Sequence, residues 1–122
     1  MKNTIYLDHA ATSPVAPEVI EVMAHAMAEE SGNASSIHTV GRSARKALDE
    51  ARTSLAQKIN AKSSEIIFTS GGTEADNMAI FGTAYARQYE GNHIITTQIE
   101  HHAVLHETEK LEKEGFTVTY LP

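Results

Sequence analysis

The stretch Ile66-Ile67-Phe68-Thr69-Ser70-Gly71-Gly72-Thr73-Glu74 constrains this chain more than any other. Three contiguous β-branched or aromatic residues predict a strand covered on both faces. Gly71 and Gly72 then predict a turn with backbone angles that a side chain would forbid. Thr73 stands where a helix opens. The first N–H groups of a helix have no partner inside it and carry the positive end of its dipole. A phosphate there would satisfy them, with the hydroxyls of Ser70 and Thr73 as further donors. The plainer alternative is a simple turn with Thr73 as a cap. Glu74 and Asp76 suit that alternative, because acidic residues in a first turn match the dipole without a ligand. The chain has no GxGxxG and no GxxxxGK[ST], which disfavours a dinucleotide fingerprint and a P-loop.

The rest of the chain fits a layered α/β order. Val19, Ile20, Met23 and Met27 recur at helical spacing behind Pro14 and Pro17, predicting a helix over 16–30, with Ser31-Gly32-Asn33 closing it with residues that tolerate left-handed backbone. Residues 31–41 form a polar loop longer than a connection needs, with His38 as a candidate ligand contact or an ordinary surface residue. A helix over 42–59 places Ala44, Ala47, Leu48, Ala51, Leu55 and Ile59 on one side. Arg42, Arg45, Lys46, Asp49, Glu50 and Arg52 form a solvated charged face. A helix over 73–89 has a large apolar stripe (Met78, Phe81, Ala84, Tyr85) and a small one (Ala75, Ala79, Gly82) suited to lying close on strands. His93–Thr97 reads as a strand, Glu100–Gly115 as the approach to a helix and the helix itself, and Phe116–Leu121 as a strand. Residues 4–8 read as a short strand or arm, followed by a loop in which His9 beside Asp8 suggests a local pair.

Strand, helix, strand, helix, strand in that order implies right-handed crossovers and a parallel sheet. Ligands of such sheets sit at the carboxyl ends of the strands. Two such ends hold chemistry here: Ser70–Thr73, and the segment after Thr97 with Glu100, His101 and His102. The histidines leave three readings open. His102 and His106 are one helical turn apart and could share a metal, although the pattern is not HExxH and spacing supplies no third ligand. An imidazole at a strand end could stack on a ring or move protons near neutral pH. Otherwise the three are polar residues at a helix start.

Composition narrows the function classes. The chain has 122 residues, 41% apolar and 21% charged, enough for one domain with a modest core. A net charge of −6 argues against a nucleic-acid or anionic-membrane partner. There is no cysteine, so no disulfide, thiolate metal site or cysteine nucleophile lies within these residues. No run has the length of a signal peptide or membrane span. We expect a soluble cytoplasmic protein.

Four segments fall together in a recognisable order and spacing: Tyr6-Leu7-Asp8-His9-Ala10-Ala11-Thr12, Gly32-Asn33-Ala34-Ser35-Ser36-Ile37-His38 with Gly41-Arg42, Thr69 to Asn77, and Glu100-His101-His102-Ala103-Val104-Leu105. In these the chain resembles the amino-terminal part of the cysteine desulfurases of the NifS/IscS type, class V enzymes of fold-type I that use pyridoxal 5'-phosphate. The resemblance covers essentially the whole chain. Ala34 stands where the family often has proline and Ser13 where it often has threonine.

The resemblance implies a three-layer α/β fold with a mostly parallel sheet. Residues 1–15 would be an arm belonging to a small domain, and 16–122 part of the cofactor-binding large domain. It implies that Gly72, through its N–H, and Thr73 bind the cofactor phosphate, and that His101 stacks on the pyridine ring and shuttles protons. His9–Thr12 and Asn33–His38 would border the active-site mouth. The implied reaction converts L-cysteine to L-alanine and leaves a persulfide on an enzyme cysteine for iron–sulfur cluster or other sulfur biosynthesis. The implied partners are a sulfur-acceptor or scaffold protein and a second copy in a homodimer. The family also needs a Ser-His-Lys lysine that holds the cofactor as a Schiff base, and a cysteine on a mobile loop. Neither is in this sequence. The expectation is therefore an amino-terminal fragment that is inactive alone. A selenocysteine lyase, another class V aminotransferase, a non-catalytic phosphate-binding module and a histidine metal hydrolase are the competing readings.

Overall fold

The computed structural model describes residues 5–122. The fold is α/β; the described residues form four α-helices, a 3-10 turn and two paired strands. It divides after Ile66 into two compact units. The expected arm at 4–8 begins outside the described residues. From Ile5 onward that segment is exposed and forms no strand.

In the first unit, α1 (Pro17–Glu29) starts with proline at its first position, where the missing N–H is harmless. Its apolar residues Val19, Ile20, Met23 and Met27 are exposed. Glu30 caps the helix without left-handed backbone, so the expectation for Gly32 and Asn33 does not hold. Glycine at 32 answers to close approach instead: a Cβ there would meet the Val40 carbonyl. A Cβ on Gly41 would stand 2.5 Å from the Ser36 carbonyl oxygen and 2.7 Å from that of Asn33. The loop is folded back on itself by the Asn33 side chain, which accepts from the Ser35 N–H at 2.8 Å, and by the Ser36 N–H on the Asn33 carbonyl at 2.9 Å.

Helix α2 (Thr39–Lys58) begins three residues earlier than its periodicity predicts, because His38 caps it: Nδ1 accepts from the Gly41 N–H at 3.3 Å. Arg45 and Lys46 pair with Asp49 and Glu50 as expected, at 2.8 and 3.7 Å. The Arg45 hydrogen bond holds the Asp49 carboxyl below the usual carboxylate range, assisted by the Arg45 and Arg52 charges and opposed by burial. Arg52 departs from the expected solvated face. It is half-buried, bonds Asp49 at 2.6 Å, and reaches the Ile66 carbonyl at 3.3 Å, tying a 3-10 turn (Ser63–Glu65) and its exit to the helix. The helix ends on Asn60 at φ 55°, where Asn60 N–H bonds Gln57 O and Ala61 N–H bonds Ala56 O, a Schellman close.

In the second unit, β1 (His93–Thr97) and β2 (Thr117–Leu121) pair in parallel, His93 opposite Thr117 through Thr97 opposite Leu121. Between them runs α4 (His102–Lys113), which supplies most of the core: Ala103, Glu107, Thr108 and Leu111 are buried, with Phe116 beyond its end. Burying one leucine such as Leu111 contributes about 1.5–3 kcal/mol. As expected, Gly115 closes the helix in left-handed backbone (φ 101°), with Gly115 N–H on Glu112 O and Phe116 N–H on Leu111 O.

Helix α3 (Gly72–Arg87) packs on α4 through its large stripe. Phe81 and Tyr85 stack at 5.8 Å, and Tyr85 meets Phe116 edge-on at 6.4 Å. The small stripe of Ala75, Ala79 and Gly82 is exposed, contrary to the expectation that it lies against strands. The strand expected at 66–68 also differs: the segment leaves the 3-10 turn and runs outside the two-stranded sheet, with Ile67 64% and Phe68 44% exposed. An apolar run records what a segment is built to be buried by, and these described residues do not cover it.

Candidate functional site

The start of α3 is opened by Gly71, whose φ of 170° is ordinary extended backbone. Neither Gly71 nor Gly72 lies in the left-handed region, so the special angles expected of them are absent. Nor does packing demand glycine: a Cβ on either would meet nothing within 4 Å. Thr73 is not the cap but the second helical residue, and no side chain caps this helix. The first internal bond is Ala75 N–H to Gly71 O at 3.1 Å, which leaves the N–H groups of Gly72, Thr73 and Glu74 ahead of it. The helix thus presents a run of exposed donors beside empty space.

Ser70 is already engaged. Its hydroxyl and its N–H both donate to the Glu74 carboxylate, at 2.6 and 2.7 Å. These bonds, the hydroxyl's first, hold Glu74 below the ordinary glutamate range. The expected Ser70 donor is therefore spent on Glu74, and the carboxylate is drawn back onto Ser70. Asn77 steadies the first turn by donating to the Thr73 carbonyl at 2.8 Å.

His101 stands at the other strand end. β1 stops at Thr97, the Gln98 N–H still bonds Leu121 O at 2.9 Å, and Thr97 donates to Glu100 at 3.0 Å before the chain turns into α4. His101 is the N-cap of α4, accepting through Nδ1 from the Ala103 N–H at 3.1 Å. Its ring lies 6.2 Å from that of His102, which stacks on His106 at 5.4 Å with 24° between planes. Among the described residues no group of His, Asp or Glu is arranged to hold a metal ion.

The two stretches lie at one end of a helix pair. Tyr85 bonds Glu114 at 2.7 Å and Lys110 sits 4.8 Å over the Phe81 ring, both pairs 29 residues apart. Two contacts at one offset mean that α3 and α4 run side by side in the same direction. That offset of 29 also takes Gly72 to His101 and Thr73 to His102. α4 follows the carboxyl end of β1, and α3, running beside it in the same direction, leads into the amino end of β1, so both helices open toward the carboxyl end of the strand.

In the first unit, Asp8 and His9 do not pair as expected. The Asp8 carbonyl accepts from Ala11 and Thr12, and the His9 ring meets Tyr6 edge-on at 5.1 Å. His38, like His101, is a helix cap. Sequence reading missed both imidazole caps, although each histidine stands directly before the first residue of its helix. It also missed Glu107, buried with its Oε2 unpartnered among the described residues; a charged residue within an apolar stripe was the signal.

The aminotransferase class-V family model matches residues 5–122. The chain belongs to the class-V aminotransferase family. Members of this family use pyridoxal phosphate. Among its class-V relatives, the chain is 62% identical over 117 residues to the putative cysteine desulfurase IscS 1 of Bacillus subtilis, covering 96% of this chain and 31% of that protein. It is 57% identical to cysteine desulfurase IscS of Dictyoglomus turgidum, covering all of this chain and 31% of that one. A solved NifS-like protein superposes with a TM-score of 0.88 at 37% identity, over 97% of this chain and 32% of the other. A structure of SspA in complex with cysteine gives 0.85 at 42% identity, over 97% and 34%. The chain therefore spans about a third of the length of these relatives, and its α/β fold is that of the corresponding third.

Proposed function

We propose that this chain is part of a pyridoxal-phosphate-dependent cysteine desulfurase, and that the start of α3 and His101 form part of its cofactor site. The observation that carries the reading is the pair Gly71-Gly72: glycines that neither backbone angle nor internal packing requires, beside exposed helix N–H donors. Absence of a Cβ leaves room for a ligand to reach the amides. The residues fit an anionic cofactor. The N–H groups of Gly72 and Thr73, with the Thr73 hydroxyl, would hold its phosphate, and His101 would cover its ring. Pyridoxal phosphate supplies the electron sink that lets the C–S bond of L-cysteine break. The α3 amides hold and orient. The Glu74–Ser70 bonds keep a carboxylate off the first-turn donors.

L-cysteine as substrate is supported by the names of the relatives and by the cysteine complex of the SspA neighbour. A sulfur-acceptor protein and a homodimeric whole enzyme belong to the same reading. The chain holds no cysteine to carry a persulfide and no lysine in a Ser-His-Lys setting. By itself it should form no alanine from cysteine.

Pyridoxine 5'-phosphate tests the site directly, because it lacks the aldehyde that would react with any lysine. Titrated against the wild-type chain and Thr73→Val, followed by fluorescence, it should bind the wild type and bind the variant several-fold more weakly. Equal binding to both would end the assignment. The metal-hydrolase alternative expects no effect of Thr73→Val.

A further inference from the structure

The Ala103 N–H bonded to His101 can only donate, so Nδ1 of His101 must accept. A neutral imidazole carries one proton and one ring lone pair. The cap commits the lone pair to Ala103, which leaves the proton on Nε2. We propose that the α4 cap fixes His101 with its proton on Nε2, so that any hydrogen bond this ring makes to a ligand at the start of α3 is one it donates. The ligand-facing role rests on the cofactor reading above; the tautomer does not.

The neighbours leave this assignment intact. His101 meets His102 by ring contact at 6.2 Å, and His102 is turned to His106. Neither contact is a hydrogen bond to a His101 nitrogen. The nearby carboxylate, Glu100, accepts from Thr97. With Nδ1 accepting from the Ala103 N–H, the remaining ring nitrogen, Nε2, carries the proton. His38 shows the same arrangement at α2, with Nδ1 3.3 Å from the Gly41 N–H. His25, exposed on α1, stands in no such cap.

The tautomers can be read from the ring nitrogens of the 15N-labelled chain by long-range proton–nitrogen correlation, at about pH 8.5, two units above the ordinary histidine value. His101 and His38 should show their two nitrogens at opposite shift extremes, with the proton on Nε2, while His25 shows averaged values. An average at His101 like that of His25, or a proton on Nδ1, overturns the proposal. His101→Asn, which keeps a capping acceptor, should retain the α4 helix signal that His101→Ala loses; loss of neither overturns the cap. The pyridoxine phosphate titration separates the two readings. Binding without a fixed tautomer removes the donor role and leaves the cofactor site standing. A fixed tautomer without binding removes the cofactor site and the ligand-facing role with it.

Discussion

Tyr85 donates to the Glu114 carboxylate across 2.7 Å, and this one bond sets the register of α3 on α4. With Lys110 over Phe81 at the same separation in sequence, it fixes two helices that open at one end, where Gly72 and His101 stand.

Removing that hydroxyl, Tyr85→Phe, should lower the thermal midpoint at neutral pH and leave the Phe81 stacking in place. The Glu114 hydrogen bond, with burial and charge adding to it, raises the Tyr85 ionisation above the ordinary tyrosine range. A group with a raised folded value contributes stability below its unfolded value and loses it as pH rises through the folded one. The gap between wild type and Tyr85→Phe should therefore close in alkaline melts, above the ordinary tyrosine range.

Glu74 titrates with the opposite sign. Ser70 lowers its ionisation, so its contribution is present above the ordinary glutamate value and lost as pH falls through the depressed one. Glu74→Gln should be less stable than wild type at pH 7 and indistinguishable from it in strong acid. Melting curves of both proteins across the acid range check this.

Glycines on this chain should separate stability from binding. Gly41→Ala forces a methyl against the Ser36 and Asn33 carbonyls and should cost about 1–3 kcal/mol in urea unfolding. Gly72→Ala meets empty space within a helix and should stabilise by about 0.4–1 kcal/mol. The same Gly72→Ala protein should bind pyridoxine phosphate less well than wild type.

At Gly115 the strain is in the backbone. With φ at 101°, Gly115→Ala should destabilise by about 1–2 kcal/mol, the cost of left-handed backbone for a residue with a Cβ. Urea unfolding of the variant measures it; no change would mean that the Schellman close of α4 tolerates another path.

Much of this was legible in the sequence because it is local. Helix periodicity placed all four helices to within a few residues. The alternation after Phe116 marked β2, Gly115 announced the end of α4, and four short motifs in order pointed to the class-V family. These signals depend on residues three or four apart, or on a single backbone angle, and a linear string carries them. The tertiary structure decided what depends on distant partners. Ile66–Phe68 reads as a buried strand, yet a strand exists only through its neighbours. Gly32 and Gly41 are glycines because a loop folds back on them, and Gly71 and Gly72 are glycines facing open space, which no window of sequence distinguishes. Arg52 left the solvated face for the Ile66 carbonyl, and His101 gave its Nδ1 to Ala103. Each was settled by where one atom found another, a matter of through-space geometry that periodicity and propensity do not encode.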